Sequence, residues 1–259
     1  MSQTNLLLDA QNEWKIFVNK WTPENEIETK GILLILHGVG EYSDRYTVLA
    51  QELIKEGYTC FAPDLRGHGK SIKEGKLGYM GKEGWLGVIN DIKLLLDKIK
   101  NENPEKPIFL YGHSNGSFFA QDIIEMYPHY LSGVIMSATC GKQKLLNLAH
   151  IIGKILVAFK GLEGQSDFMY NLSIGAYNND FKKENMKNAW ISTIRDEVIR
   201  YNNDPMCGFK PPNQYFLEVS TAMKRFWNNK NMKKIPKNLP ILILNGSEDP
   251  LSQACKDLY

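Results

Sequence analysis

Ser114 is the residue on which chemistry could turn, because it sits in Gly112-His113-Ser114-Asn115-Gly116, a G-x-S-x-G pattern. A serine hydroxyl is a poor nucleophile at neutral pH and needs a base within hydrogen-bond reach, itself oriented by a carboxylate. The flanks give the pattern its meaning. Pro107-Ile108-Phe109-Leu110-Tyr111 is a short apolar run without helical period, and Phe118, Phe119, Ile123 and Met126 then share one face of a helix predicted over 115–127. Strand, sharp turn and helix is the setting a nucleophile elbow requires, with glycines where side chains would collide. The turn also leaves the backbone N–H of Asn115 at a helix N-terminus, where it can meet an oxyanion. An ordinary glycine-rich strand–helix turn is the plainer alternative.

The remaining reactive side chains narrow the field. Four cysteines, Cys60, Cys140, Cys207 and Cys255, lie far apart without a C-x-x-C pair, which argues against a zinc site and a dense disulfide framework; they read as reduced thiols. A net charge of +2 over 259 residues, with lysines spread among acids, gives no basic excess and argues against nucleic acid as a partner. A composition of 43% apolar and 11% aromatic residues can bury a core, so a small-molecule or lipid partner is expected instead. The first residues carry no basic leader, and the longest greasy stretch, 145–159, is interrupted by Asn147, His150, Gly153 and Lys154. A cytoplasmic location is expected.

The elements that must position Ser114 follow from periodicity. A hairpin is predicted over 5–21 around Gln11-Asn12-Glu13, and Gly31-Ile32-Leu33-Leu34-Ile35-Leu36 reads as a strand covered on both faces. Asp44 is the predicted cap of a helix reaching Glu56, with Leu49, Leu53 and Ile54 inward. A strand over 58–62 leads to a turn at Asp64-Leu65-Arg66-Gly67-His68-Gly69-Lys70-Ser71, read as structural, and Trp85, Val88, Ile89, Ile92, Leu95, Leu96 and Ile99 recur at helical spacing. Residues 131–138 form another strand. This alternation argues a mostly parallel sheet with helices on both faces. From about Cys140 to Glu218 only helices and loops are predicted. A helix over 215–227 returns to the core, Ile241-Leu242-Ile243-Leu244 reads as a buried strand, and Ser252 begins a last helix.

Four stretches in this order resemble the α/β-hydrolase superfamily: His37-Gly38-Val39-Gly40-Glu41-Tyr42-Ser43-Asp44-Arg45-Tyr46, the turn from Asp64 to Ser71, the Ser114 elbow, and Asn245-Gly246-Ser247-Glu248-Asp249-Pro250. They are most similar to its monoacylglycerol lipase and lysophospholipase branch, which includes the group labelled serine aminopeptidases. Asn171-Leu172-Ser173-Ile174-Gly175 and Asp204-Pro205-Met206-Cys207-Gly208-Phe209 are similar to bacterial members of that branch.

The resemblance implies an α/β-hydrolase core at 1–139 and 218–259 with an inserted helical cap at 140–217. It implies Ser114 as nucleophile, Asp249 as triad acid, and the backbone N–H groups of Val39 and Asn115 as oxyanion donors. Asp249 as a mere helix cap is the alternative. His37 becomes a structural histidine, and Tyr42, Arg45 and Tyr46 fix the start of their helix. The implied reaction is hydrolysis of a monoacylglycerol or lysophospholipid ester through an acyl-serine, without metal or organic cofactor. A small non-lipid ester is the nearest alternative, and peptide cleavage is less favoured. Residues 145–159 are either buried in the cap or a membrane-facing lid, with burial the plainer reading.

One departure stands out. The family carries its catalytic histidine beyond the triad acid, after one more strand and before a final helix, whereas His37, His68, His113, His129 and His150 all precede Asp249. Three readings follow. The first expectation is a C-terminally incomplete version of an active hydrolase, its final strand and helix absent. The second is a non-catalytic lipid-binding pseudoenzyme on the same fold. The third recruits His68, His129 or His150 as base.

Overall fold

A computed structural model describes residues 2–24 and 29–252. An antiparallel hairpin, β1 (Ser2–Asp9) and β2 (Lys15–Thr22), joins β3 (Gly31–Leu36), β4 (Tyr58–Pro63), β5 (Ile108–His113), β6 (Gly133–Ser137) and β7 (Ile241–Leu244) in one sheet. The order is β1-β2-β4-β3-β5-β6-β7; β2 meets β4 antiparallel, and every pairing from β4 to β7 is parallel. Parallel neighbours need crossovers, and helices supply them. α1 (Thr47–Lys55) links β3 to β4, α2 (Gly84–Glu102) links β4 to β5, and α3 (Asn115–Met126) links β5 to β6.

The unbroken aliphatic run of β3 records burial on both faces. Ile32, Leu34 and Leu36 join the large core that α2 and α3 build, while Leu33 and Ile35 face the smaller core holding Ala50 and Ile54 of α1. Between β6 and β7 the described residues form only helices and turns: α4 (Leu146–Lys160), α5 (Asp167–Leu172), α6 (Arg195–Asn203), α7 (Asn213–Phe226) and α8 (Asn229–Met232). α7 bridges this segment to the sheet. Gly153 lets α4 approach it, since a Cβ there would lie 3.2 Å from the Leu217 Cα. On the core side, Asp122 of α3 accepts from Trp85 Nε1 of α2 at 2.7 Å and from Arg225 of α7.

Several expectations need correction. Asp44 does not cap α1: a 3₁₀ turn (Ser43–Tyr46) precedes the helix, and the Asp44 carboxylate accepts from Asn19 Nδ2 at 2.6 Å. Leu49 faces solvent and Ala50 takes its place against the sheet, because the 3₁₀ start rotates the helix relative to an α-helical count from Asp44. Met126, at the frayed end of α3, is also exposed. β7 is not buried: its four residues are 42–49% exposed. Among the described residues it pairs only with β6. Nor is α4 buried in the cap. Only Leu146 and Gly153 of that helix are fully covered, since α7 occupies one of its faces and leaves Leu148, Ile151, Ile155 and Phe159 outside. The helix expected from Ser252 onward lies outside the described residues, as does Cys255; Cys60, Cys140 and Cys207 are buried.

Candidate active site

Ser114 occupies the corner between β5 and α3 with φ 50° and ψ −118°, a left-handed conformation that a β-substituted residue adopts only where its surroundings enforce it. The enforcement is visible. Ser114 N–H donates to Ser137 O at 2.8 Å, and the Ser114 carbonyl accepts from Ser117 N–H at 2.8 Å and Ser117 Oγ at 2.6 Å. The two motif glycines are steric necessities: a Cβ on Gly112 would lie 2.4 Å from Gly116 O, and one on Gly116 would lie 2.1 Å from Leu36 O. The corner is therefore pressed against the end of β3. Ser114 itself is half-buried and opens into a cavity of about 970 Å³.

Asp249 lies beyond β7 and lines the same cavity. Its carboxylate accepts from Leu251 N–H at 2.8 Å and from Asn245 Nδ2 at 3.3 Å. Asn245 in turn exchanges hydrogen bonds with the Thr139 backbone, donating at 2.7 Å and accepting at 3.2 Å, which ties together the loops after β6 and β7. Val39 lines the cavity as well, from the loop after β3. Among the described residues neither the Val39 N–H nor the Asn115 N–H has an acceptor, and Asn115 is the first residue of α3, where helix donors are orphaned. The structure thus brings Ser114, Asp249 and Val39 around one cavity, with buried Asn115 next to Ser114 at the start of α3.

Of the five histidines, only His113 lines this cavity. His37 is buried; its Nδ1–H donates to Gly38 O at 2.7 Å while its Nε2 accepts from Leu65 N–H at 2.9 Å, and burial pushes its pKa down. His68 packs between the rings of His37 and Phe209, its pKa pushed down to about 3 chiefly by burial. His113 lines the cavity, but its Nδ1 is directed to Ser137 Oγ at 3.3 Å. His129 is exposed beyond the far end of α3, and the twelve-residue helix puts roughly 18 Å between that end and Ser114. His150 sits on α4, 3.2 Å from Thr221 Oγ1 of α7. None of His68, His129 and His150 lines the cavity that Ser114 opens into: His68 is buried in the turn after β4, His129 follows α3 and His150 lies on α4.

Around the loop after β3 lies a polar cluster to which the sequence reading assigned no chemistry. Buried Glu41 accepts from Gly38 N–H at 2.6 Å, Tyr46 Oη at 2.8 Å and Arg45 Nε at 3.0 Å. Tyr42 Oη donates to Asp204 at 2.9 Å, and Gly208 N–H to Gly40 O at 2.9 Å, so the segment after α6 docks on this loop. Tyr42, Arg45 and Tyr46 thus bind carboxylates where the 3₁₀ turn leads into α1, Tyr42 just before the turn and Tyr46 just before the helix. The acid four residues before Arg45 was the available signal for the Glu41–Arg45 pair. Asp64 accepts from Ser43 N–H, Ser43 Oγ and Lys70 N–H, which ties its turn to the same loop from below.

The described helices include none long and apolar enough to cross a membrane. Comparison with known proteins agrees with this geometry. The family described as serine aminopeptidase, S33 matches residues 27–257. A monoglyceride lipase homolog from Monkeypox virus is 28% identical over 99% of this chain and 83% of its own length. Monoglyceride lipase from Homo sapiens is 27% identical over 95% of this chain and 73% of its own. A thermostable carboxyl esterase from Bacillus coagulans, solved with glycerol, superimposes with a TM-score of 0.90 at 26% identity, covering 100% of this chain and 84% of that one. Relatives and fold together indicate a hydrolase of the lipase and esterase kind. The chain belongs to the serine aminopeptidase S33 family, in the monoacylglycerol-lipase-like branch of the α/β-hydrolases.

Proposed function

We propose that this protein acts on carboxylic esters of the monoacylglycerol or lysophospholipid type, with Ser114 as nucleophile and the acyl chain lying beneath a helical cap at 140–217. The observation that carries the proposal is Ser114, strained at its corner and open to a 970 Å³ cavity that Asp249 and Val39 also line. Ser114 Oγ attacks the ester carbonyl as its proton passes to the base, and the carbonyl oxygen becomes an oxyanion between the N–H groups of Val39 and Asn115. Collapse breaks the ester C–O bond, the leaving oxygen taking that proton to depart as the alcohol and leave an acyl-serine. Water then releases the fatty acid. Each oxyanion donor is worth on the order of 10²-fold in turnover. Asp249 is the carboxylate that would orient the base.

His113 is the one histidine lining the cavity, and its Nδ1 faces Ser137 Oγ; that placement is the specific observation favouring a second reading, a lipid-binding protein without turnover. Without a base at the serine, such sites retain only about 10³- to 10⁴-fold over water. A fluorophosphonate probe decides between the readings. Under the hydrolase reading it labels wild type and not Ser114→Ala, and millimolar imidazole raises hydrolysis of a monoacylglycerol by wild type alone. Under the binding reading the protein stays unlabelled, imidazole does nothing, and a fatty acid is retained equally by Ser114→Ala.

Peripheral membrane contact through the cap belongs to the same proposal. Leu148, Ile151, Ile155 and Phe159 form one exposed stripe on α4, which carries Lys154 and Lys160 and no acidic residue. Such a helix lies in a lipid interface. Replacing Ile155 and Phe159 by serine should lower sedimentation with anionic vesicles about tenfold or more, with hydrolysis of a water-soluble ester unchanged.

A further inference from the structure

Glu41 is a carboxylate 8% exposed beside the candidate site, and burying a charge there is costly unless donors surround it. Three donors do: Oε1 takes Gly38 N–H at 2.6 Å and Tyr46 Oη–H at 2.8 Å, and Oε2 takes Arg45 Nε–H at 3.0 Å. The carbonyl of the same Gly38 accepts from His37 Nδ1–H at 2.7 Å, so both polar groups of this glycine are fixed. The Gly38 carbonyl and the Val39 N–H belong to one planar trans peptide and point in opposite directions. Fixing one therefore aims the other. Gly38 also has no spare room: a Cβ would lie 2.8 Å from Glu41 Oε1 and 3.3 Å from Ser114 Cβ, so both side chains border the space beside Gly38.

We propose that Glu41 is a positioning residue for ester hydrolysis, its carboxylate fixing the peptide before Gly38 while His37 fixes the one after it, so that the Val39 N–H is held toward the oxyanion formed at Ser114. The proposal rests on the hydrolase reading above and adds to it a cavity-lining residue whose two carboxylate oxygens are both engaged by the protein. Burial alone would push the Glu41 carboxyl up, but the fields of His113, Arg45 and His37 and the Gly38 N–H hold it below the ordinary carboxylate range, so it remains the acceptor the clamp needs. Gly208 N–H on Gly40 O, and the Arg45 guanidinium 5.0 Å over the Tyr201 ring, tie the clamped loop to the cap.

The test uses Glu41→Gln, which keeps the shape but presents an NH₂ to donors. Two readouts are taken: amide exchange at Gly38, and the rate of fluorophosphonate attack on Ser114 in imidazole buffer. The expected result is faster Gly38 exchange with Leu34 still protected, labelling slowed roughly 10- to 100-fold, and an unchanged Kd for a non-hydrolysable monoacylglycerol ether. Wild-type labelling in the variant overturns the proposal, whatever Gly38 exchange does. A wild-type protein that labels no faster than Ser114→Ala overturns the hydrolase reading and this one with it. Should Glu41→Gln fail to fold, Glu41→Asp carries the same test, since it keeps the charge and falls one methylene short: slowed labelling at unchanged Kd supports the clamp, and an unchanged rate refutes it.

Discussion

Residues 32–36 of β3 and Ile241–Leu244 of β7 are both unbroken aliphatic runs, yet every β3 residue is buried while those of β7 are 42–49% exposed. β3 has a strand on each side and a helical layer on each face. β7 has only β6 beside it among the described residues. Composition is the same, so the difference teaches that an aliphatic run specifies an extended, sheet-forming segment and leaves the degree of burial to whatever packs on it. It also separates two ways of holding the candidate site. The Ser114 corner is pressed on the fully packed end of β3, whereas Asp249 hangs from β7 and depends on the Asn245–Thr139 bridge for its position.

The largest expected effect is on the β3 side. Leu34→Ala should cost roughly 2–5 kcal/mol of unfolding free energy in urea titrations, because neither sheet face can collapse into the cavity left behind. A loss no greater than that of a surface site would remove the contrast. The next effect concerns pH. Folded His68 is neutral down to about 3, whereas the unfolded chain takes up that proton below about 6.5. Above 6.5 the two states bind equal numbers of protons at this residue and its contribution is fully present. As pH falls toward 3 the unfolded state binds more, and stability is lost at up to about 1.4 kcal/mol per pH unit. His68→Asn should flatten that acid slope in melts between pH 6.5 and 4. The smallest effect is on β7, where Ile243→Thr should change stability by under about 1 kcal/mol and lower self-association at high concentration. A cost matching Leu34→Ala would mean that β7 is covered in solution.

The legible parts of this molecule are those whose physics is local. The elbow could be read because Gly112 and Gly116 are dictated by atoms a few residues away and by the end of β3, and the α2 stripe from Trp85 to Ile99 could be read because one face of that helix is buried along its length. Asp44 misled because a 3₁₀ turn and a helix cap share the same residue preferences, and the competing donor, Asn19, comes from a distant strand. Residues 145–159 misled because apolar composition around most of a helix fits either a buried or an interfacial position, and only the packing of α7 on one side of α4 separates them. Glu41 went unassigned because its three donors, though near in sequence, converge only once the loop after β3 is folded back on itself.

By itself the sequence determined a mostly parallel sheet with covering helices, a serine at a glycine-flanked corner, and an aspartate after the last aliphatic run, since each follows from backbone sterics and the periods of strand and helix. Tertiary structure alone decided which aliphatic runs are covered, that Ser114, Val39 and Asp249 border one cavity, and that His113 is the one of the five histidines that lines it. Those outcomes depend on contacts between segments tens to hundreds of residues apart, and no local preference encodes such a contact.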